Sequence, residues 1–239
     1  MTPQINEIWV YLSASPLLGL TVTLLAYQAA FWLYRRSGMN PLANPVLIAV
    51  SILVLLLTLT ATSYETYFAG AQFVHFLLGP ATVALAIPLY TQFRRVRSLL
   101  LPVAAGLVAG SLTAALSAIA IARLFGASLP TQLSLAPKSV TTPIAMGIAE
   151  RIGGIPSLTA VLVIVTGILG AVGARWIFDA MKLRDPAIRG FAIGVASHGI
   201  GTARAFQVSE QAGAFAALAM GLNGALTALL LPLVLGWMR

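Results

Sequence analysis

Cysteine is absent from the 239-residue chain, which rules out disulfide and thiolate chemistry without fixing a compartment. Charge is nearly as scarce. Fourteen Lys or Arg and six Asp or Glu amount to 8% of the residues, against roughly 25% in an ordinary soluble domain. That is too little to cover a water-exposed surface of this size, so soluble enzymes, disordered regulators and secreted disulfide scaffolds are excluded. Histidine occurs only at His75 and His198, far apart in sequence, so no metal-ligand cluster is in view and no cofactor is expected. No nucleophile, base and orienting residue stand in a catalytic arrangement, and no glycine loop suits a phosphate, so the chain does not read as an enzyme. What is abundant is apolar: 59% of residues, in long runs. This composition specifies an all-α polytopic membrane protein. The net charge of +8 does not alter that reading, because the cations sit in short groups between apolar runs. Nucleic-acid binding would gather them on one solvated face.

The apolar runs cover 8–34, 45–61, 67–93, 99–125, 157–178 and 212–237. With two interrupted stretches, they predict about seven transmembrane helices plus re-entrant or discontinuous helices. All lie in one transmembrane domain over 1–239, with scaffold-like spans at 8–62 and a transport-like core at 67–238. An acid and no base precede the first run, so it is expected to be a retained helix and not a cleaved signal. Gly79-Pro80 and Pro88 predict that the third run is not a straight rod.

The stretch 128–154 is crowded with Pro130, Pro137, Pro143, Gly147 and the Gly153-Gly154-Ile155-Pro156 turn, and carries Lys138, Glu150 and Arg151. Irregular backbone at membrane depth survives only beside protein or a water-filled cavity, so this stretch is expected to re-enter or break. The second such stretch, 190–209, is interrupted by Ser197-His198-Gly199-Ile200-Gly201. With the N-terminus outside, Arg35, Arg36, Arg94, Arg95 and Arg97 fall on the cytoplasmic side. Arg175, Lys182, Arg184 and Arg189 join them only if 128–154 dips in and returns, so the charge pattern favours re-entry over crossing. For 190–209 both a crossing and a return remain open. A return would make the two broken stretches enter from opposite faces, as in inverted-repeat transporters. Gly79-Pro80-Ala81-Thr82-Val83 and Ala136-Pro137-Lys138-Ser139-Val140 share a small-Pro-x-hydroxyl-Val pattern at a spacing of 57, too short to establish a duplication.

Two constellations carry chemistry. In the first, Pro137 is placed to open a helix behind Ala136, a poor N-cap, leaving amides free for an anion. Lys138 adds a charge, and Ser139, Thr141 and Thr142 add hydroxyls, which together suit a carboxylate with a hydroxyl or keto neighbour. A lysine snorkelling beside an ordinary proline-started helix is the alternative. In the second, Gly199 and Gly201 permit a backbone break, Thr202 is placed to cap the helix that follows, and Arg204 lies one turn into it. Arg204 fits either a substrate carboxylate or an ion pair with Glu150 or Glu210. His198 fits a proton relay, a donor to substrate or a hydrogen-bonded packing residue. Asn223, mid-span between glycines, fits helix–helix hydrogen bonding or ligand contact. His75, with Gln72, either lines the cavity or cements helices.

The blocks Gly79-Pro80-Ala81-Thr82-Val83-Ala84-Leu85-Ala86, Pro137-Lys138-Ser139-Val140-Thr141-Thr142-Pro143-Ile144-Ala145, Gly153-Gly154-Ile155-Pro156-Ser157-Leu158-Thr159-Ala160 and His198-Gly199-Ile200-Gly201-Thr202-Ala203-Arg204-Ala205 resemble signature blocks of the LrgB/CidB family. The resemblance runs from about Pro45 to the C-terminus. It implies a bacterial inner-membrane protein of antiholin-like type, linked to control of murein hydrolase activity and lysis and paired with a small LrgA/CidA-type membrane partner. The family's plant relative is the plastidial glycolate/glycerate translocator, and bacterial members are associated with pyruvate uptake or export. The resemblance therefore implies a small-monocarboxylate transporter, with an antiholin-like regulator as the alternative. It places Lys138, Ser139, Thr141, Thr142, His198, Thr202 and Arg204 in the shared core; Gly199 and Asn223 complete the expected substrate contacts. Gly79, Pro80, Thr82, Pro137 and Gly201 are expected at helix breaks. Coupling by a proton on Glu150, Glu210 or His198, or by sodium on carbonyls near Gly199 to Gly201, stays open. An elevator-like homodimer is expected.

Overall fold

A computed structural model of the protein describes residues 16–77, 80, 83–84 and 86–236. Among these residues the fold is all-helical, and the chain divides into two compact units, Met1–Ala84 and Leu85–Arg239. Gly79 and Thr82 lie outside the described residues, as does the side chain of His75; Pro80 is exposed.

In the first unit, helix α1 (Pro16–Arg36) ends on Arg35 and Arg36, cations that suit the negative end of the helix dipole. Helix α2 (Pro45–Leu59) opens with proline behind Asn44, whose Oδ1 accepts from the amides of Val46 and Leu47 at 2.9 and 3.1 Å. Helix α3 (Tyr64–Phe76) packs on α1, where Thr23 and Tyr67 join hydroxyls at 2.8 Å.

The second unit holds α4 (Ala86–Thr91), α5 (Phe93–Ser98), α6 (Leu100–Leu124), α7 (Leu129–Leu135), α8 (Thr142–Ile152), α9 (Pro156–Ala180), α10 (Pro186–Val208) and α11 (Glu210–Gly236). Among the described residues four helices, α1, α6, α9 and α11, are long and apolar enough to cross a bilayer, and α2 is a shorter apolar helix. The expected count was about seven spans. Part of the difference is physical: the third run is divided among short helices, and α10 turns back on itself.

The path of α10 follows from its contacts. Its backbone leaves helical values at Ser197 (φ −131°, ψ 18°) and His198 (φ 40°, ψ −133°), dividing it into α10a and α10b. A β-carbon at Gly201 would lie 2.6 Å from Ser197 Cβ and 2.9 Å from the Ile193 carbonyl oxygen, so α10b folds back along α10a. Gly190 lies against Ala212 and Gly194 against Ala216, so α10a and the start of α11 run in the same direction with backbones nearly touching. The stretch 190–209 therefore returns to the face from which it entered. Glycines were expected to supply the break dihedrals, but Ser197 and His198 supply them, and Gly201 provides room for the returning half.

The segment 128–154 also doubles back on itself. Arg95 donates to Asp185 at 2.6 Å, which places the connections before α6 and after α9 on one face. Helix α6 leaves that face and α9 comes back to it, so α7, the turn 136–141 and α8 start and finish on the opposite one. Ser134 fastens the base of this hairpin: its Oγ accepts from the Ile155 amide at 2.8 Å, and its carbonyl accepts from Thr159 Oγ1 at 3.1 Å. The two hairpins point into the second unit from opposite ends.

Backbone contact at Gly194 gives the first prediction. Gly194→Ala would drive a β-carbon into the Ala216 carbonyl and should cost about 1–3 kcal/mol, read as a lower thermal midpoint in detergent. Gly221→Ala, with open space around the new atom, should leave the midpoint unchanged or slightly raised. Equal behaviour of the two variants would contradict this packing.

Candidate functional site

The first hairpin reaches its tip because Pro137 cannot extend the hydrogen-bonding ladder of α7. The Lys138 amide donates to the Leu135 carbonyl at 3.1 Å and the Val140 amide to that of Pro137 at 3.2 Å, forming successive tight turns. Helix α8 then begins at Thr142, with Thr141 at the N-cap and Pro143 in the first turn. This corrects the expected helix start at Pro137: that proline is fully buried in the turn, and Pro143 opens the helix. The Thr141 side chain makes no cap hydrogen bond, so the first-turn amides have no side-chain acceptor. Lys138, Thr141 and Thr142 are half-buried. The Ser139 hydroxyl is buried with no hydrogen-bond partner among the described residues. A buried hydroxyl in that state is uncommon and asks for a ligand or water.

The second hairpin turns at His198. A non-glycine residue at positive φ costs of order 1–3 kcal/mol unless its surroundings hold it. His198 is 4% exposed, and its Nε2 lies 2.9 Å from the Val163 carbonyl, an acceptor, so Nε2 carries the proton and donates. The ring packs over Gly167, where a β-carbon would lie 2.8 Å from it. His198 is thus tied to α9. Thr202, expected as a cap, donates instead to the His198 carbonyl at 2.8 Å, one turn back, because the break falls immediately before that carbonyl. Gly199 lies near Met220, with Sδ 3.9 Å from the position of an added β-carbon.

The hairpins meet at Asn223, halfway along α11 and 1% exposed. Its Nδ2 donates to the Val195 carbonyl at 3.1 Å, on the last turn before the second break, and to the Ser139 carbonyl at 3.4 Å, in the first tip. Thr227 donates to Asn223 Oδ1 at 3.4 Å and pairs with Ser111 of α6 at 3.2 Å. Ser111 and Thr227 were not foreseen. Their sequence signal is the i,i+4 spacing of Asn223 and Thr227 on an otherwise apolar helix.

Arg204 lies apart from this junction. It is half-buried in α10b, donates to Gln207 Oε1 at 3.2 Å, and lines a cavity of about 290 Å³ with Arg175, Arg184 and Arg189. Lys138 is not among the residues lining that cavity. Glu150 and Glu210 are exposed. From sequence the three cations joining Arg204 read mainly as reporters of orientation, since their convergence depends on how α10 folds back.

Long apolar helices, four of them among the described residues able to cross a bilayer, define an integral polytopic membrane protein. The LrgB-like family model matches residues 23–237, so the chain belongs to the LrgB-like family. The match extends the resemblance, first seen from about Pro45, back into α1. Curated relatives include the uncharacterized proteins YxaC and YwbG of Bacillus subtilis strain 168. YxaC is 36% identical over 89% of this chain and 92% of its own length. YwbG is 35% identical over 93% and 98%. An antiholin-like protein LrgB of Bacillus cereus strain B4264 is 30% identical over 92% and 95%. None of these names states an enzymatic activity. No solved structure matches the chain.

The junction generates the second prediction. Asn223→Ala removes the donor to both carbonyls and should cost about 1–3 kcal/mol for each carbonyl left unsatisfied. Hydrogen exchange should accelerate at 136–142 and at 195–202 together. Acceleration confined to α11 would show that Asn223 does not join the tips.

Proposed function

We propose that the protein is a secondary transporter of small 2-hydroxy or 2-keto monocarboxylates, of the glycolate, glycerate and pyruvate class, working by alternating access. The observation that carries this reading is the meeting of two oppositely entering hairpins at Asn223, beside the unpartnered Ser139 hydroxyl and the uncapped start of α8. A helix start offers amide donors and partial positive charge to an anion. Lys138 supplies a full charge, and the hydroxyls of Ser139, Thr141 and Thr142 supply donors for the carboxylate and its 2-oxygen. Hairpin tips on rigid spans are the elements that rock in alternating-access carriers.

In this reading the cation-rich face is cytoplasmic, the N-terminus is outside and the membrane is the bacterial inner membrane. Coupling falls to a proton on Glu150, Glu210 or His198, or to sodium on carbonyls released by the α10 break. A homodimer and a small LrgA/CidA-type partner belong to the same reading. The antiholin-like name of the Bacillus cereus relatives supports a second reading, a regulator of murein hydrolase activity and lysis acting by oligomerisation in the membrane.

Purified protein in liposomes should take up labelled glycolate or pyruvate with saturation. Lys138→Ala should abolish uptake, and Arg204→Ala, away from the tips, should reduce it less. Undiminished uptake by Lys138→Ala would sink the site assignment, and unsaturable leakage of large solutes would replace the transporter reading with the second one.

A further inference from the structure

The cavity at the base of the second hairpin has a charge content that carboxylate transport leaves unused. Arg175 comes from α9, Arg184 from the loop after it, Arg189 from α10a and Arg204 from α10b. The neighbouring carboxylate is Asp179, 2.5 Å from Arg189 and 3.8 Å from Arg175. Asp185 is committed elsewhere, to Arg95 and to the amides of Ala187 and Ile188 at the start of α10. Four guanidiniums therefore line about 290 Å³, and among the described residues Asp179 is the carboxylate that pairs with Arg175 and Arg189.

Their roles differ. Arg189 is already paired: it donates to the Leu183 carbonyl and to Asp179, and its guanidinium lies 5.7 Å from the centre of the Phe178 ring. It acts as a wall. Arg184 has no hydrogen-bond or ion-pair partner among the described residues, and Arg175 has only its long contact to Asp179. Ala174, Phe178, Ile193 and Val208 make the remaining lining apolar.

We infer that this cavity binds a phosphate-bearing anion, at a site separate from the hairpin junction. A monocarboxylate would offset one of the surplus charges. A phosphate offers more negative charge and several oxygens, and guanidinium forks pair with it through two parallel hydrogen bonds. The apolar wall suits the carbon skeleton attached to the phosphate. The cavity also opens among the loops of the cation-rich face, where basic pockets between spanning helices take lipid headgroups. The phosphate has two sources, a phospholipid headgroup and a soluble phosphate ester.

The test uses the full chain in phosphatidylcholine nanodiscs and reads its thermal midpoint. One arm titrates glycerol 3-phosphate; the other incorporates phosphatidylglycerol. Stabilisation by phosphatidylglycerol alone identifies a headgroup site, and stabilisation by glycerol 3-phosphate identifies one open to soluble esters. In whichever arm responds, Arg175→Gln with Arg184→Gln should weaken apparent affinity by about tenfold or more, the loss expected for charge-assisted pairs. Arg97→Gln, an exposed cation that lines neither this cavity nor the adjoining one walled by Asp179, Lys182, Arg184 and Arg189, should not. Stabilisation in neither arm overturns the inference, as does an equal loss in Arg97→Gln, which would mark a diffuse surface effect. If the double variant does not fold, Arg184→Lys decides: it keeps the charge and loses the fork, so a weakened response supports the site and an unchanged one overturns it. No transported carboxylate enters the assay, so its outcome is independent of the transport reading.

Discussion

The second unit depends on one amide. Two broken helices within a bilayer leave carbonyls and amides without helical partners, and hydrocarbon offers no water to satisfy them. Asn223 answers both breaks from one side chain, donating to Val195 in one hairpin and Ser139 in the other. Its own oxygen is held by Thr227, which Ser111 contacts from α6. The polar chain therefore runs from a spanning helix through a second one into both tips. Removing any member leaves a buried polar group exposed to an apolar interior.

Such a junction requires the helices around it to come unusually close. Lipid tails are as apolar as leucine, so helix association in a bilayer rests on close packing and hydrogen bonds. The first half of α11 meets this need with buried Ala212, Ala214, Ala216, Ala217 and Ala219 on more than one side, and Gly190 and Gly194 lay their backbones on Ala212 and Ala216. Gly167 clears space on α9 for the His198 ring, and the Val163 carbonyl one turn earlier receives its proton donor. Small residues and the strained histidine are thus parts of one arrangement: without the close approach, nothing would hold His198 at positive φ.

The turn-back of 128–154 is legible in its prolines, and the Arg95–Asp185 contact sets the connections before α6 and after α9 side by side. What misled was the choice between competent residues. Pro137 and Pro143 both suit a first helical turn, and only the burial of Pro137 in the tip decides for Pro143. Gly199 and Gly201 both suit a break, yet Gly201 is needed where α10b crosses Ile193, and the positive φ falls to His198. Local propensity says which residues tolerate a conformation. Tertiary contact says which of them must adopt it.

The same distinction governs the cations. Insertion reads Arg175, Arg184 and Arg189 as a string of charges near the ends of apolar segments, before any hairpin has formed. Folding then turns α10 back and brings Arg204 from beyond the break to the three that precede it. A topological signal becomes a cavity lining without a change in sequence, because the hairpin returns to the face it left. Had α10 crossed, Arg204 would sit on the opposite side of the bilayer, and the four guanidiniums would share no ligand. Part of the positive balance of this chain is therefore gathered at one cavity, and the fold-back at Ser197 and His198 is what gathers it.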